Sequence, residues 1–179
     1  MSTKHDEGAD TQVSRPDPAQ GSAHDVPVFV DLVEGIRTCM FTTCDEDGTL
    51  LSRPMAVQGV DEDGTVWFFA YADSPKLDQL EARPQVNLTF VHKDTFVSVS
   101  GTAREVDDSE KREQLWSPFA KAWFQTEADD PAVVLIRVDP SGGEYWDAPA
   151  KPAQVIGFAR ALLGHGPPVD GDNAKLQLD

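Results

Sequence analysis

The sequence predicts a mainly β domain: a small antiparallel barrel of about six short strands with a few helices added around it. Three observations carry this. Runs rich in Val, Phe, Thr and Trp recur with turn signals roughly every 10 residues. The same tetrapeptide, Asp-Glu-Asp-Gly, separates such runs at 45–48 and again at 61–64, and Asp-Gly between apolar runs is the strongest short hairpin signal. Helical spacing of apolar residues is confined to short stretches between them.

Residues 1–22 are rich in Asp, Ser, Gly, Pro and Gln with almost nothing to bury. Ordering them costs conformational entropy without return, so a disordered N-terminal tail is expected there and a folded domain over 23–165. From Asp25, the positions Val28, Phe29, Leu32, Val33 and Ile36 form one helical stripe. The period then shortens to that of strands in "TCMFTTC", "TLLSRPMAVQGV" and "TVWFFAY", which the two acidic turns join into an antiparallel meander. Ser74 as N-cap and Pro75 at the first helical position open a short helix that ends before Pro84. "QVNLTFV" alternates Val86, Leu88 and Phe90 with polar neighbours, and "TFVSVSGTAREV" returns across the turn His92-Lys93-Asp94. "DDSEKREQLWSPFAKAWF" has the acidic start of a helix and reads as one, with Leu115, Trp116 and Phe119 near one face. "PAVVLIRVDP" is an almost continuously apolar strand that "GGEYWDA" extends past a candidate bulge at Gly142-Gly143. "AQVIGFARALLG" reads as a last helix, and 166–179 as a C-terminal tail.

Composition narrows the partners. A chain of 179 residues with 40% hydrophobic content supports one well-buried core. A net charge of -16 and a pI near 4.4 oppose the counterion release by which proteins hold polyanions, so neither nucleic acid nor an anionic membrane is expected as a partner. The start lacks the apolar core of a signal peptide and no apolar run approaches the roughly 20 residues of a membrane helix, so a cytoplasmic location is expected. Cys39 and Cys44 fall in one strand; at about 3.3 Å per residue they stand roughly 16 Å apart on opposite faces and cannot bridge. His5, His24, His92 and His165 are scattered, so no protein-ligated metal is expected. The acidic turns lack the dozen-residue spacing of a calcium loop and read as solvated turns.

Arg53-Pro54 is the least strand-like feature of a strand. Proline cannot donate to a ladder, so this strand belongs at an edge or carries a bulge, with Arg53 on irregular backbone. One hairpin later, Ser74-Pro75-Lys76 opens a helix whose first amides are unsatisfied and whose dipole favours an anion. A guanidinium fork, an ammonium, a hydroxyl and free N–H groups together suit a phosphate monoester. The plainer reading pairs Arg53 with one of the 31 acidic residues and leaves Lys76 as decoration of a helix. Trp67, Phe68, Phe69 and Tyr71, with Trp116, Trp123 and Trp146 further on, either wall a planar heterocycle or fill the core; composition does not separate the two.

Taken in order, "SRPM" after an acidic hairpin, "WFFAYADSPKLDQL", "VSVSGTA", "LWSPFAKAWF", "DDPAVVLIRVDP" and "EYWD" resemble the flavin-binding split-barrel superfamily of pyridoxamine 5'-phosphate oxidase, and within it the general stress protein 26 branch. The resemblance runs from about Val26 to Leu178. It implies an antiparallel six-stranded split β-barrel with flanking helices, forming a homodimer with two FMN sites at the subunit interface. Residues matching Arg53, Ser74 and Lys76 would hold the FMN phosphate, while Ser52, Pro54 and Met55 run along the ring and Phe69 and Ala70 add strand contacts. Trp116 and Trp146 of the other subunit would reach the isoalloxazine edge. Two departures stand out. After Trp146 there is no arginine and histidine pair to grip a substrate phosphate, which argues against vitamin B6 oxidation. Pro75-Lys76 replaces two adjacent basic residues, which weakens phosphate affinity. The expected function is an FMN-dependent oxidoreductase acting on an unknown small molecule, with a nicotinamide donor as one source of electrons. The alternatives are a flavin-binding or sequestering module without turnover, or the same fold holding F420 or haem. Because the ring carries the electrons, no side chain is nominated as the catalyst.

Overall fold

Both Asp-Glu-Asp-Gly segments fold into the same tight turn. Gly48 and Gly64 adopt φ of 89° and 86°, a left-handed conformation open to glycine at no steric cost, and their amides donate to Asp45 O and Asp61 O at 3.0 and 2.9 Å. In each turn the third acidic side chain also closes the loop. The amides of Thr49 and Thr65 donate to Asp47 Oδ1 and Asp63 Oδ1, both at 2.9 Å, and these bonds hold the two carboxyls below the usual carboxylate range.

The computed structural model of the chain describes residues 25–147 and 172–178. The tail expected at 1–22 and the helix expected at 153–164 lie outside them. Helix α1 (Val26–Val33) leads into β1 (Thr38–Cys44), β2 (Leu50–Ala56), β3 (Gly59–Val60) and β4 (Val66–Tyr71). Then follow α2 (Pro75–Ala82), β5 (Gln85–His92), β6 (Thr95–Val106), α3 (Ser109–Leu115), α4 (Pro118–Phe124), β7 (Val133–Asp147) and β8 (Asp172–Gln177). The strands make one antiparallel sheet in the order β2-β1-β5-β6-β7-β4-β3, with β8 on β7. It curls into a half-barrel with flanking helices, the split-barrel class, with eight strands among the described residues rather than six.

The simple meander is not what forms. "TLLSRPMAVQGV" divides at Val57-Gln58: the Val57 amide donates to Arg37 O at 3.0 Å, and the next amide, of Gln58, donates to Trp67 O at 2.9 Å. Within two residues the chain leaves one end of the sheet and joins the other. This crossing brings β2 beside β4, and Phe41 of β1 meets Phe68 of β4 edge-to-face at 5.1 Å in the closed interior. Phe29 of α1 plugs the same core against Phe90, 6.0 Å away. Strand β4 is buried on both faces, which explains its unbroken apolar run. Val66, Phe68 and Ala70 join the barrel core, while Trp67 and Phe69 join a second cluster with Ala120, Val133 and Leu135 under α3 and α4.

Three further expectations need correction. The helix read through 107–124 is two helices. Ser117 precedes a proline and is therefore disfavoured in the α region, so it becomes the N-cap of α4, its Oγ accepting from Ala120 N at 3.1 Å. The stretch 166–179, read as a tail, contains β8, because Leu176 and Leu178 alternate onto the core face and are buried. The bulge expected near Gly142-Gly143 lies one residue earlier: Ser100 pairs with Gly142 and Gly101 with Pro140, leaving Ser141 over. Free Cys39 is buried in the core, which pushes its thiol up to about 12.

Candidate cofactor site

Strand β2 is an edge strand, which answers how Pro54 fits: on an edge a missing N–H need break no ladder bond. The irregular backbone expected at Arg53 is absent, since the register with β1 runs unbroken from Thr38↔Ala56 to Cys44↔Leu50. Arg53 stands opposite Phe41 and so points to the barrel side of β2.

Between β2 and β4 opens a cleft of about 410 Å³. Arg53, Pro54 and Met55 line it from β2, Phe69, Ala70 and Tyr71 from β4, and Lys76 from the start of α2. Helix α4 closes a third side with Phe119, Ala120, Trp123 and Phe124. The wall is mostly apolar and aromatic, with both cations in it.

The electrostatics of those cations are unusual for so acidic a chain. The Arg53 Nη1 donates to Thr43 Oγ1 at 3.0 Å and Nη2 to Gln79 Oε1 at 3.2 Å. The Lys76 ammonium donates to Ser74 Oγ at 2.6 Å. Among the described residues neither cation forms an ion pair; the salt bridges belong to Arg104, Lys111, Lys121 and Arg137. Burial first, and then the charge of Arg53, pull the Lys76 ammonium below its ordinary pKa. Two half-buried positive groups therefore share one cleft and lack a counter-charge among the described residues, a setting in which a bound anion relieves both desolvation and mutual repulsion.

Six of the ten residues expected at the site line this cleft: Arg53, Pro54, Met55, Phe69, Ala70 and Lys76. Ser74 stands behind them, bonded to Lys76; it is the N-cap residue of α2, yet its side chain makes no capping bond. Ser52 lies on the opposite face of β2, where its Oγ accepts from Thr42 Oγ1 at 3.0 Å. Trp116 packs outside the cleft, edge-on to Phe69 at 4.9 Å and stacked with Phe124 at 5.9 Å. Trp146 is half-exposed on β7, in a separate shallow depression with Ser98 and Ser100. Phe119, read from the sequence only as a helix-face residue, and Trp123, left open between ring wall and core, both belong to the cleft. Their signal was present: an i, i+4 aromatic pair on a helix, here exposed by 61% and 65% and stacked at 6.4 Å. Among the described residues no group of three His, Cys, Asp or Glu side chains lies close enough to hold a metal, and no helix is long and apolar enough to cross a membrane.

Comparison with known proteins is consistent with this geometry. A family model described as pyridoxamine 5'-phosphate oxidase like matches residues 24–165. Protein bli-3 of Neurospora crassa is 35% identical over 118 residues, 59% of this chain and 56% of that protein, so the match spans little more than half of that relative's own length. A Jannaschia sp. CCS1 protein named for general stress protein 26 superposes with a TM-score of 0.70 at 25% identity, covering 83% of this chain and 95% of its own. The general stress FMN/FAD binding protein of Xanthomonas citri superposes with a TM-score of 0.61 at 30% identity, covering 73% and 93% respectively.

Proposed function

Because the chain belongs to the pyridoxamine 5'-phosphate oxidase like family, we propose that it binds FMN in the cleft between β2 and β4 and acts as a flavin-dependent oxidoreductase on a small molecule. One observation carries this reading: Arg53 and Lys76, half-buried and without a carboxylate partner among the described residues, line the same apolar cleft. A phosphate monoester supplies the missing negative charge there, and the guanidinium can meet two of its oxygens at once. Pro54, Met55, Phe69 and Ala70 offer apolar lining for the ring. The name of the Xanthomonas citri relative supports a flavin as the ligand class.

When bound, the flavin supplies the electron transfer. The chain's residues supply orientation, charge and exclusion of water. Among the described residues that line the cleft there is neither a carboxylate nor an imidazole to move a proton. That composition favours one second reading, flavin binding without turnover. Oxidation of NADH or NADPH above the free-flavin rate decides for the oxidoreductase. We also propose a homodimer. Trp146 lies away from its own cleft, so it reaches a flavin only across a subunit contact.

The first test is the spectrum of the purified protein, with the released ligand identified by mass. Flavin absorption and an FMN mass are expected. Protein that stays colourless after dialysis against FMN would sink the proposal. Arg53→Ala is expected to weaken FMN binding by about 1.5–3 kcal/mol, the worth of a charged hydrogen bond; an unchanged Kd would remove Arg53 from the site.

A further inference from the structure

Two buried polar side chains behind Arg53 have no part in the function just proposed. Thr43 is 1% exposed and Gln79 7%, and with Thr65 they are the buried polar side chains among the described residues. Thr43 occupies an inward position of β1, two residues beyond the core residue Phe41, where an apolar residue is the ordinary choice. Gln79 faces it from α2, 36 residues along the chain.

These two side chains and the guanidinium form a closed set of hydrogen bonds. Thr43 Oγ1 donates to Gln79 Oε1 at 2.6 Å and accepts from Arg53 Nη1 at 3.0 Å. Gln79 Oε1 accepts from Arg53 Nη2 at 3.2 Å. Each Nη is thus tied from behind by a neutral oxygen, and the remaining guanidinium N–H groups are left over for a ligand.

Neutrality is the informative feature. In a chain with 31 acidic residues, a carboxylate at position 79 would hold the guanidinium at least as firmly. It would also cancel the charge that makes Arg53 useful in an anion site. Neutral acceptors give the orientation and leave the charge intact. Orientation has work to do here, because Arg53 and Lys76 repel one another across the cleft, and a loose guanidinium would swing toward water or the nearest carboxylate. We propose that Thr43 and Gln79 are positioning residues, which hold the Arg53 guanidinium facing the cleft with its positive charge uncompensated and so set the affinity for a phosphate monoester. This rests on the cleft reading given above.

The test compares FMN with riboflavin, which carries the same ring without the phosphate, by flavin fluorescence titration. Gln79→Glu is expected to lower FMN affinity at least tenfold while riboflavin affinity moves less than twofold. The thermal midpoint of the ligand-free protein should hold or rise, because Arg53 gains an ion-pair partner. A merely structural role would instead lower the midpoint and shift both ligands together. Thr43→Val, which keeps the side-chain shape and removes the hydroxyl that accepts from Arg53 and donates to Gln79, should shift the FMN to riboflavin ratio in the same direction by a smaller factor. In an Arg53→Ala background, Gln79→Glu should leave the ratio unchanged, since the two residues act as one unit.

The failures can be told apart. If Arg53→Ala lowers the ratio but Gln79→Glu does not, the positioning role is wrong and the cleft reading stands. If Arg53→Ala leaves the ratio untouched, the cleft reading falls and takes this inference with it. A Gln79→Glu protein that does not fold also overturns the inference, which requires the new ion pair to be tolerated.

Discussion

Lys76 is an ammonium ion that the fold half-buries without giving it a counter-charge among the described residues. Burial and the neighbouring guanidinium lower its pKa from 10.5, and the consequence for stability has a definite sign. Between the lowered folded value and 10.5 the unfolded chain binds more protons than the native one, so native stability rises with pH through that window; below it the penalty is constant. FMN affinity should run the other way, falling as Lys76 loses its charge. Lys76→Met is therefore expected to raise the melting temperature of the ligand-free protein at neutral pH, to abolish the alkaline gain, and to weaken FMN binding. Thermal denaturation at neutral and alkaline pH measures the first two; a lower midpoint in the variant would mean that something else stabilises the ammonium. Such opposition between stability and binding is the usual mark of a functional site. At this scale the sequence was informative about charge and silent about direction. Arg53 and Lys76 were legible because cations in an acidic chain stand out, whereas Ser52, next to Arg53, turned out to face away because neighbouring strand residues alternate sides.

At the scale of elements, local chemistry decided most boundaries. Both acidic turns were readable because glycine at positive φ and an Asp bonding to the amide two residues on are properties of four or five consecutive residues. The break between α3 and α4 was readable too, since Ser117-Pro118 repeats the Ser74-Pro75 signature that correctly opened α2. It was passed over because Leu115, Trp116 and Phe119 keep a helical spacing across the break. The β6–β7 bulge was only half legible, for its position depends on which backbones approach. A Cβ on Gly101 would meet the backbone at Asp139 O and stand 2.8 Å from Pro140 Cα. Backbone does not yield as a side-chain end would, so Gly101→Ala is expected to cost about 1–3 kcal/mol of unfolding free energy, measured by chemical denaturation. A neutral result would show that β7 can slide at Ser141.

At the scale of the molecule, the cleft is made by closure of the sheet. Its walls come from residues 53–56, 69–71, 76, 119, 120, 123 and 124, which meet because the chain crosses from one sheet end to the other at Val57-Gln58. The outer surface carries a second feature: Val91, Phe96 and Trp146 are cross-strand neighbours on β5, β6 and β7, exposed by 50%, 46% and 44%. We propose this row as part of the contact between two copies. Sedimentation is expected to report a dimer for the native chain and a shift toward monomer for Phe96→Glu, with FMN affinity lost alongside; an unmoved sedimentation coefficient would locate the contact elsewhere. By itself the sequence determined the strand and turn pattern, the cations at 53 and 76, and the family that the ordered motifs share. These depend on short-range periodicity and on residue chemistry, which each segment carries within itself. Only the tertiary structure decided that β2 and β4 face one another, that α4 turns Phe119 and Trp123 into the cleft, and that Thr43 and Gln79 hold Arg53 from behind. Those facts depend on which distant segments lower the free energy by packing together, and no local run of residues encodes a long-range pairing on its own.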